Sequence, residues 1–154
     1  MASVTKVSLA IASGPTPTTK NVTASGSLLF DAADVGKSFR LEIKVFGEDK
    51  TGDKLPPTDG LGDNELYTFL WGVNVFNKKP YKVIAVAAAG PQPFTETRPV
   101  SVEKLDEDTG TFPPNNAPPG TPGPPLKDEG YARVTLSGAP TSARSATTDF
   151  SIGV

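Results

Sequence analysis

Phe39-Arg40-Leu41-Glu42-Ile43-Lys44-Val45-Phe46 alternates apolar and charged residues without a break up to Val45. Successive side chains of a strand point to opposite faces, so Phe39, Leu41, Ile43 and Val45 share one face and Arg40, Glu42 and Lys44 the other. On a helix the same residues would be scattered around the axis. The stretch therefore predicts an antiparallel strand with one face buried and one in water.

The same period recurs about eight times along the chain. Val7, Leu9 and Ile11 share a face before Gly14-Pro15-Thr16-Pro17 ends the run. Val22, Ala24, Leu28 and Phe30 form a second set, and Tyr131 to Ser137 alternates again. An aromatic-rich run from Leu66 to Phe76 and an apolar run from Tyr81 to Ala89 flank Asn77-Lys78-Lys79-Pro80, which predicts a hairpin. Thr95 to Val102 reads as a weaker strand, and Phe150, Ile152 and Val154 as the last. Together these predict an all-β, antiparallel β-sandwich, immunoglobulin-like or related, of about seven to nine strands. Helix is expected only as one turn near Asp31 to Gly36.

Composition agrees. The 154 residues suit one domain, and 15 Gly with 16 Pro suit many turns and disfavour long helices. The net charge of −2 comes without a basic cluster, so neither the counterion displacement of nucleic-acid binding nor a basic membrane-surface helix is expected. No apolar run approaches the roughly 20 residues that span a bilayer, so membrane insertion is not expected. The start, Met1-Ala2-Ser3-Val4-Thr5-Lys6-Val7, lacks the pattern of a secretory signal; the location is left open, extracellular or within a virion or other assembly.

Residues 106–129 differ in character. Phe112-Pro113-Pro114-Asn115-Asn116-Ala117-Pro118-Pro119-Gly120 and the prolines after it favour extended polyproline conformations, flanked by strands on both sides. The reading is a Pro-rich loop protruding from a single domain over residues 1–154.

Ala32-Ala33-Asp34-Val35-Gly36-Lys37-Ser38 leading into the alternating run to Val45 resembles the corner and following strand of bacterial immunoglobulin-like modules. Asp34 is suited to capping the turn through its side chain and Gly36 to a positive φ. The resemblance implies a sandwich and carries no binding residues with it.

The chain has no His and no Cys, which removes Ser-His-Asp and Cys-His catalysis, thiolate chemistry and the commonest metal ligand. Carboxylates remain. Asp31 with Asp34, and Asp106 with Glu107 and Asp108, are sequence neighbours in turns, whereas glycosidase chemistry needs two acids across a cleft. The chain is not expected to be an enzyme, and no cofactor is expected. Calcium is the more plausible ion, with Asp49, Asp53, Asp106 and Asp108 as candidate ligands, although solvated loops explain them better. Tyr67, Phe69 and Trp71 share one face; exposed they would stack on sugar rings, buried they are core, and continuation into Val73 and Val75 favours core. Asn21-Val22-Thr23 fits a glycosylation acceptor but arises often by chance.

The expected function is a non-catalytic structural or interaction module that self-associates or joins other subunits, in a surface filament, a virion or an injection apparatus. Pro113, Pro114, Pro118, Pro119, Phe150 and Ile152 are its candidate contact residues, the last two because terminal strand edges recruit other strands. The alternative is a carbohydrate- or calcium-binding accessory module.

Overall fold

The computed structural model describes residues 2–47, 64–74, 76–105, 128–138 and 141–150. Among the described residues nine strands form two antiparallel sheets, so the fold is all-β. The strands are β1 (Ser3–Ser13), β2 (Thr19–Phe30), β3 (Ser38–Gly47), β4 (Asn64–Thr68), β5 (Lys82–Ala85), β6 (Gly90–Ser101), β7 (Asp128–Ser137), β8 (Thr141–Arg144) and β9 (Thr148–Phe150). A 3-10 turn at Ala32–Asp34 and one helical turn, α1 (Val102–Leu105), complete the elements. The second of these turns was not expected from the sequence.

The first sheet has the order β1-β2-β6. The second is built on β3 and β7, with β4 and β5 pairing β3 on one side and β8 and β9 pairing β7 on the other. Each outer position of this sheet is thus one interrupted strand. Val22, Ala24, Leu28 and Phe30 from the first sheet join Phe39, Leu41, Ile43, Val45, Val134 and Leu136 from the second in one buried cluster, as two layers sharing a core require. The alternation in β3 is as predicted: its four inward residues are buried and Arg40 is exposed.

The corner between the sheets is held by reciprocal caps. Asp31 Oδ1 accepts from the Ala33 amide at 2.9 Å, and Asp34 Oδ2 accepts from the Asp31 amide at 2.9 Å. Gly36 has φ +85°, where a side chain would be strained. Its amide donates to Val86 O at 2.9 Å, which ties the corner to the end of β5.

Two elements differ from the sequence reading. β6 is twelve residues long and pairs with β2 without a shift from Gly90 to Ser101. Pro91, Pro93 and Pro99 hid it, because proline usually breaks a ladder. All three occupy odd positions, hence the same side, which must be the unpaired outer edge because proline has no N–H to donate. The aromatic run ends as a strand at Thr68. Val73 is 96% exposed, so the valine continuation expected of a core strand fails there. The turn lies at Asn74–Asn77, before the expected position, and closes on a pair between Trp71 and Lys79.

Candidate interaction surfaces

The titratable groups weighed for chemistry are occupied structurally or lie elsewhere. Asp31 and Asp34 accept main-chain hydrogen bonds at the corner. Among the described residues, no three of His, Cys, Asp or Glu come together. Asp49, Asp53, Asp106, Asp108, Pro113, Pro114, Pro118, Pro119 and Ile152 lie outside the described residues. Phe150 is buried in the shared cluster, so its ring belongs to the core while β9 pairs residues 128–130. Asn21 sits within β2, paired on both sides, and not in a surface loop.

The aromatic row is a brace between the sheets. Phe69 is fully buried, with its ring centroid 5.5 Å from Tyr67 and 6.4 Å from Trp71, both half-buried. Arg98 reaches across from β6: its guanidinium carbon lies 5.5 Å from the ring centroids of Phe69 and of Trp71. Its Nε donates to Leu70 O at 3.2 Å and its Nη1 to Glu96 Oε2 at 3.4 Å, while Lys82 Nζ donates to Glu96 Oε1 at 3.2 Å. A sugar platform needs open ring faces, and the central ring here has none. Burial raises the Tyr67 phenol above its ordinary pKa, and the Arg98 charge partly offsets this. Beside Tyr67 lies an open hollow of about 440 Å³, lined by Glu65, Leu66, Thr68, Leu70 and Lys104.

The outward faces of the two sheets differ in kind. On the second sheet Arg40, Glu42 and Lys44 of β3 stand beside Ser137, Thr135 and Arg133 of β7. Arg144 of β8 pairs with Arg133 and sits with its guanidinium 3.7 Å from the Tyr131 centroid, helping to cover that ring on the outer side. This is a charged, water-facing surface.

On the first sheet, β1 contributes Ser3, Thr5, Ser8, Ala10 and Ala12, which pair with Leu29, Ser27, Ser25, Thr23 and Asn21 of β2. Those β2 residues pair in turn with Pro91, Pro93, Thr95, Thr97 and Pro99 of β6. All reach solvent, and none carries a charge. The charged residue of β1 is Lys6, set at the bulge between Thr5 and Ser8 with φ +55°. The hydroxyls partly satisfy one another: Ser8 Oγ and Ser25 Oγ are 2.6 Å apart, and Thr23 Oγ1 and Thr97 Oγ1 are 2.9 Å apart.

Such a face is inexpensive to cover. Several of its hydroxyls already have partners, and Ala, Pro, Ser and Thr have little rotamer freedom to lose. Its outer edge on β6 lacks three donors, so an added strand would find few partners there; contact would be through the face. Sequence reasoning passed over this surface. The signal was present within each strand, as the uncharged outer positions Ser8, Ala10 and Ala12 or Thr23, Ser25 and Ser27, but the pairing that joins them was not. No protein-family model, no curated protein and no solved structure matches the chain.

Proposed function

We propose that this protein is a non-catalytic structural module that assembles with further subunits through the uncharged outer face of the β1-β2-β6 sheet. The observation that carries the reading is that face: exposed and half-buried outward positions on three adjacent strands, none of the paired ones charged and Lys6 at the β1 bulge the one charge beside them, opposite a second sheet whose outer face is charged. Charged residues are what water-facing sheets ordinarily use to stay apart from one another, and charge depletion marks the centres of protein interfaces. The immunoglobulin-like relationship suggested by residues 32–45 belongs to the same proposal. Constant-type immunoglobulin domains place strands A, B, E and D in one sheet and C, F and G in the other. The order β1-β2-β6 against β3-β7-β8 supports a relative of that plan, with the fourth position moved beside β3.

The size of the face sets the strength expected. Three strands of about eleven residues cover roughly 500 Å² at strand spacings of ~4.8 Å and rises of ~3.3 Å. A stable pairwise interface buries about 800 Å² on each partner. The face alone therefore gives a weak contact that becomes effective when repeated. Light scattering on Ala10→Lys/Thr95→Lys tests it, since these positions are not cross-strand partners and substitutions there should change folding stability by no more than about 0.5 kcal/mol. The wild type should gain mass with concentration and the double variant should need at least about tenfold more protein to do so. Equal association of the two would refute the assignment.

A further inference from the structure

The prolines of β6 fix which main-chain groups of the first sheet are used. Pro91, Pro93 and Pro99 have no N–H, so the even residues of β6 bond to β2, and they meet its even residues from Lys20 to Phe30. The odd residues of β2 therefore turn to β1, where Asn21, Thr23 and Ser25 meet Ala12, Ala10 and Ser8. Gly14 N donates to Thr19 O at 3.2 Å, which continues the same phase. The amides and carbonyls of Leu9, Ile11 and Ser13 are left on the outer edge of β1. Among the described residues no strand pairs with that edge.

The two edges of this sheet are unlike. The β6 edge is blunted by three prolines. On β1, Ser8-Leu9-Ala10-Ile11-Ala12-Ser13 has no proline, glycine or charge, and the bulge at Lys6 stops short of it. Edges of that composition recruit other strands. The core is also open on this side. Ile11 is half-buried while Val22, opposite it on β2, is fully buried, so the inner face of β1 lacks a neighbour beyond it.

We propose that the β1 edge pairs antiparallel with the β1 edge of a second copy, about a two-fold axis at Ala10. Leu9 and Ile11 then exchange main-chain hydrogen bonds with Ile11 and Leu9 of the second copy. This register keeps like with like. Leu9 meets Ile11 on the core side, Ser8 meets Ala12 and Ala10 meets its own copy on the outer side, and Lys6 falls opposite Gly14, past the end of the strand. The inference rests on the assembly reading and deepens it by naming the partner and its register. Two uncharged faces joined side by side make one of about 1,000 Å² at the same strand spacings. That exceeds the about 800 Å² per partner of a stable interface, which one face alone does not reach. The two-fold pair is closed, so further growth runs through the doubled face.

The test is sedimentation equilibrium of wild type, Ile11→Pro and Thr95→Lys, each with a thermal unfolding control. Ile11→Pro gives β1 the device that β6 already uses, and Thr95→Lys charges the face two strands away from the β1 edge. The wild type should form dimers that grow further with concentration, and Thr95→Lys should stop at dimers. Ile11→Pro should raise the dimer dissociation constant at least about tenfold, since main-chain bonds carry the affinity of strand addition. Thiol linking reads the register separately, and decides the matter if Ile11→Pro does not fold. Across the two-fold, the Cα atoms at position 10 lie about 4.5 Å apart and those at position 12 about 13 Å. Only the first distance suits a disulfide, so with oxidised glutathione Ala10→Cys should form covalent dimers at least about tenfold faster than Ala12→Cys. If folded Ile11→Pro associates like wild type, or the two thiols link equally fast, the edge pair is refuted while assembly through the face stands. If wild type and Thr95→Lys both stop at dimers, the edge pair stands and the face is refuted. A wild type that stays monomeric at every concentration refutes both.

Discussion

Arg40, Glu42 and Lys44 stand on the outer face of β3, where Thr23, Ser25 and Ser27 stand on the outer face of β2. Both strands are central in their sheets, and both bury alternate residues in the same cluster. Their inner faces obey one requirement, the removal of apolar surface from water. Their outer faces are free of it, and so are where selection for different surroundings becomes visible. The edges diverge in the same way. The first sheet closes its β6 edge with prolines, while the second breaks both of its edges, between β4 and β5 at one side and by residues 145–147 at the other.

The largest expected effect tests the likeness of the inner faces. Leu28→Ala and Leu41→Ala each delete a fully buried side chain of the shared cluster, one from each sheet, and each should cost about 2–5 kcal/mol by denaturant unfolding. If the two layers share one core, both losses appear in a single cooperative transition. Separate transitions would break the account of the core. A smaller effect is expected at the interrupted edge. Ser145 Oγ accepts from the buried Ala132 amide at 2.9 Å, standing in for a main-chain carbonyl where β8 gives way to β9. Ser145→Ala orphans that amide and should cost about 1–3 kcal/mol, with association unchanged. A loss of association there would mean that the edge, and not the outer face of the first sheet, makes the contact.

How much of this was legible in the sequence depends on how far apart the partners are. The inward sets of β2, β3 and β7 could be read because alternation is local. The corner could be read because Asp31, Asp34 and Gly36 act within one turn. β6 was under-read because Pro91, Pro93 and Pro99 are breakers everywhere except at an outer edge, and edge position is decided by the whole sheet. The hairpin turn expected at Asn77–Pro80 was misplaced because Trp71 and Val73 continue the apolar alternation in sequence, while Gly72 and Asn74 turn the backbone away. The uncharged face joins residues as distant as Thr23 and Thr97, 74 positions apart, and no local pattern reports that contact.

The absence of cysteine permits the most direct test, because a single introduced thiol is then a unique probe. Ser25→Cys and Glu42→Cys place it at half-buried central positions on the outer faces of the first and second sheets. Maleimide reaction rates are measured in dilute protein and again at concentrations where mass increases. The account predicts slowing of at least about tenfold at position 25 and none at position 42. Equal rates at position 25 under both conditions, or protection at position 42 instead, would contradict it.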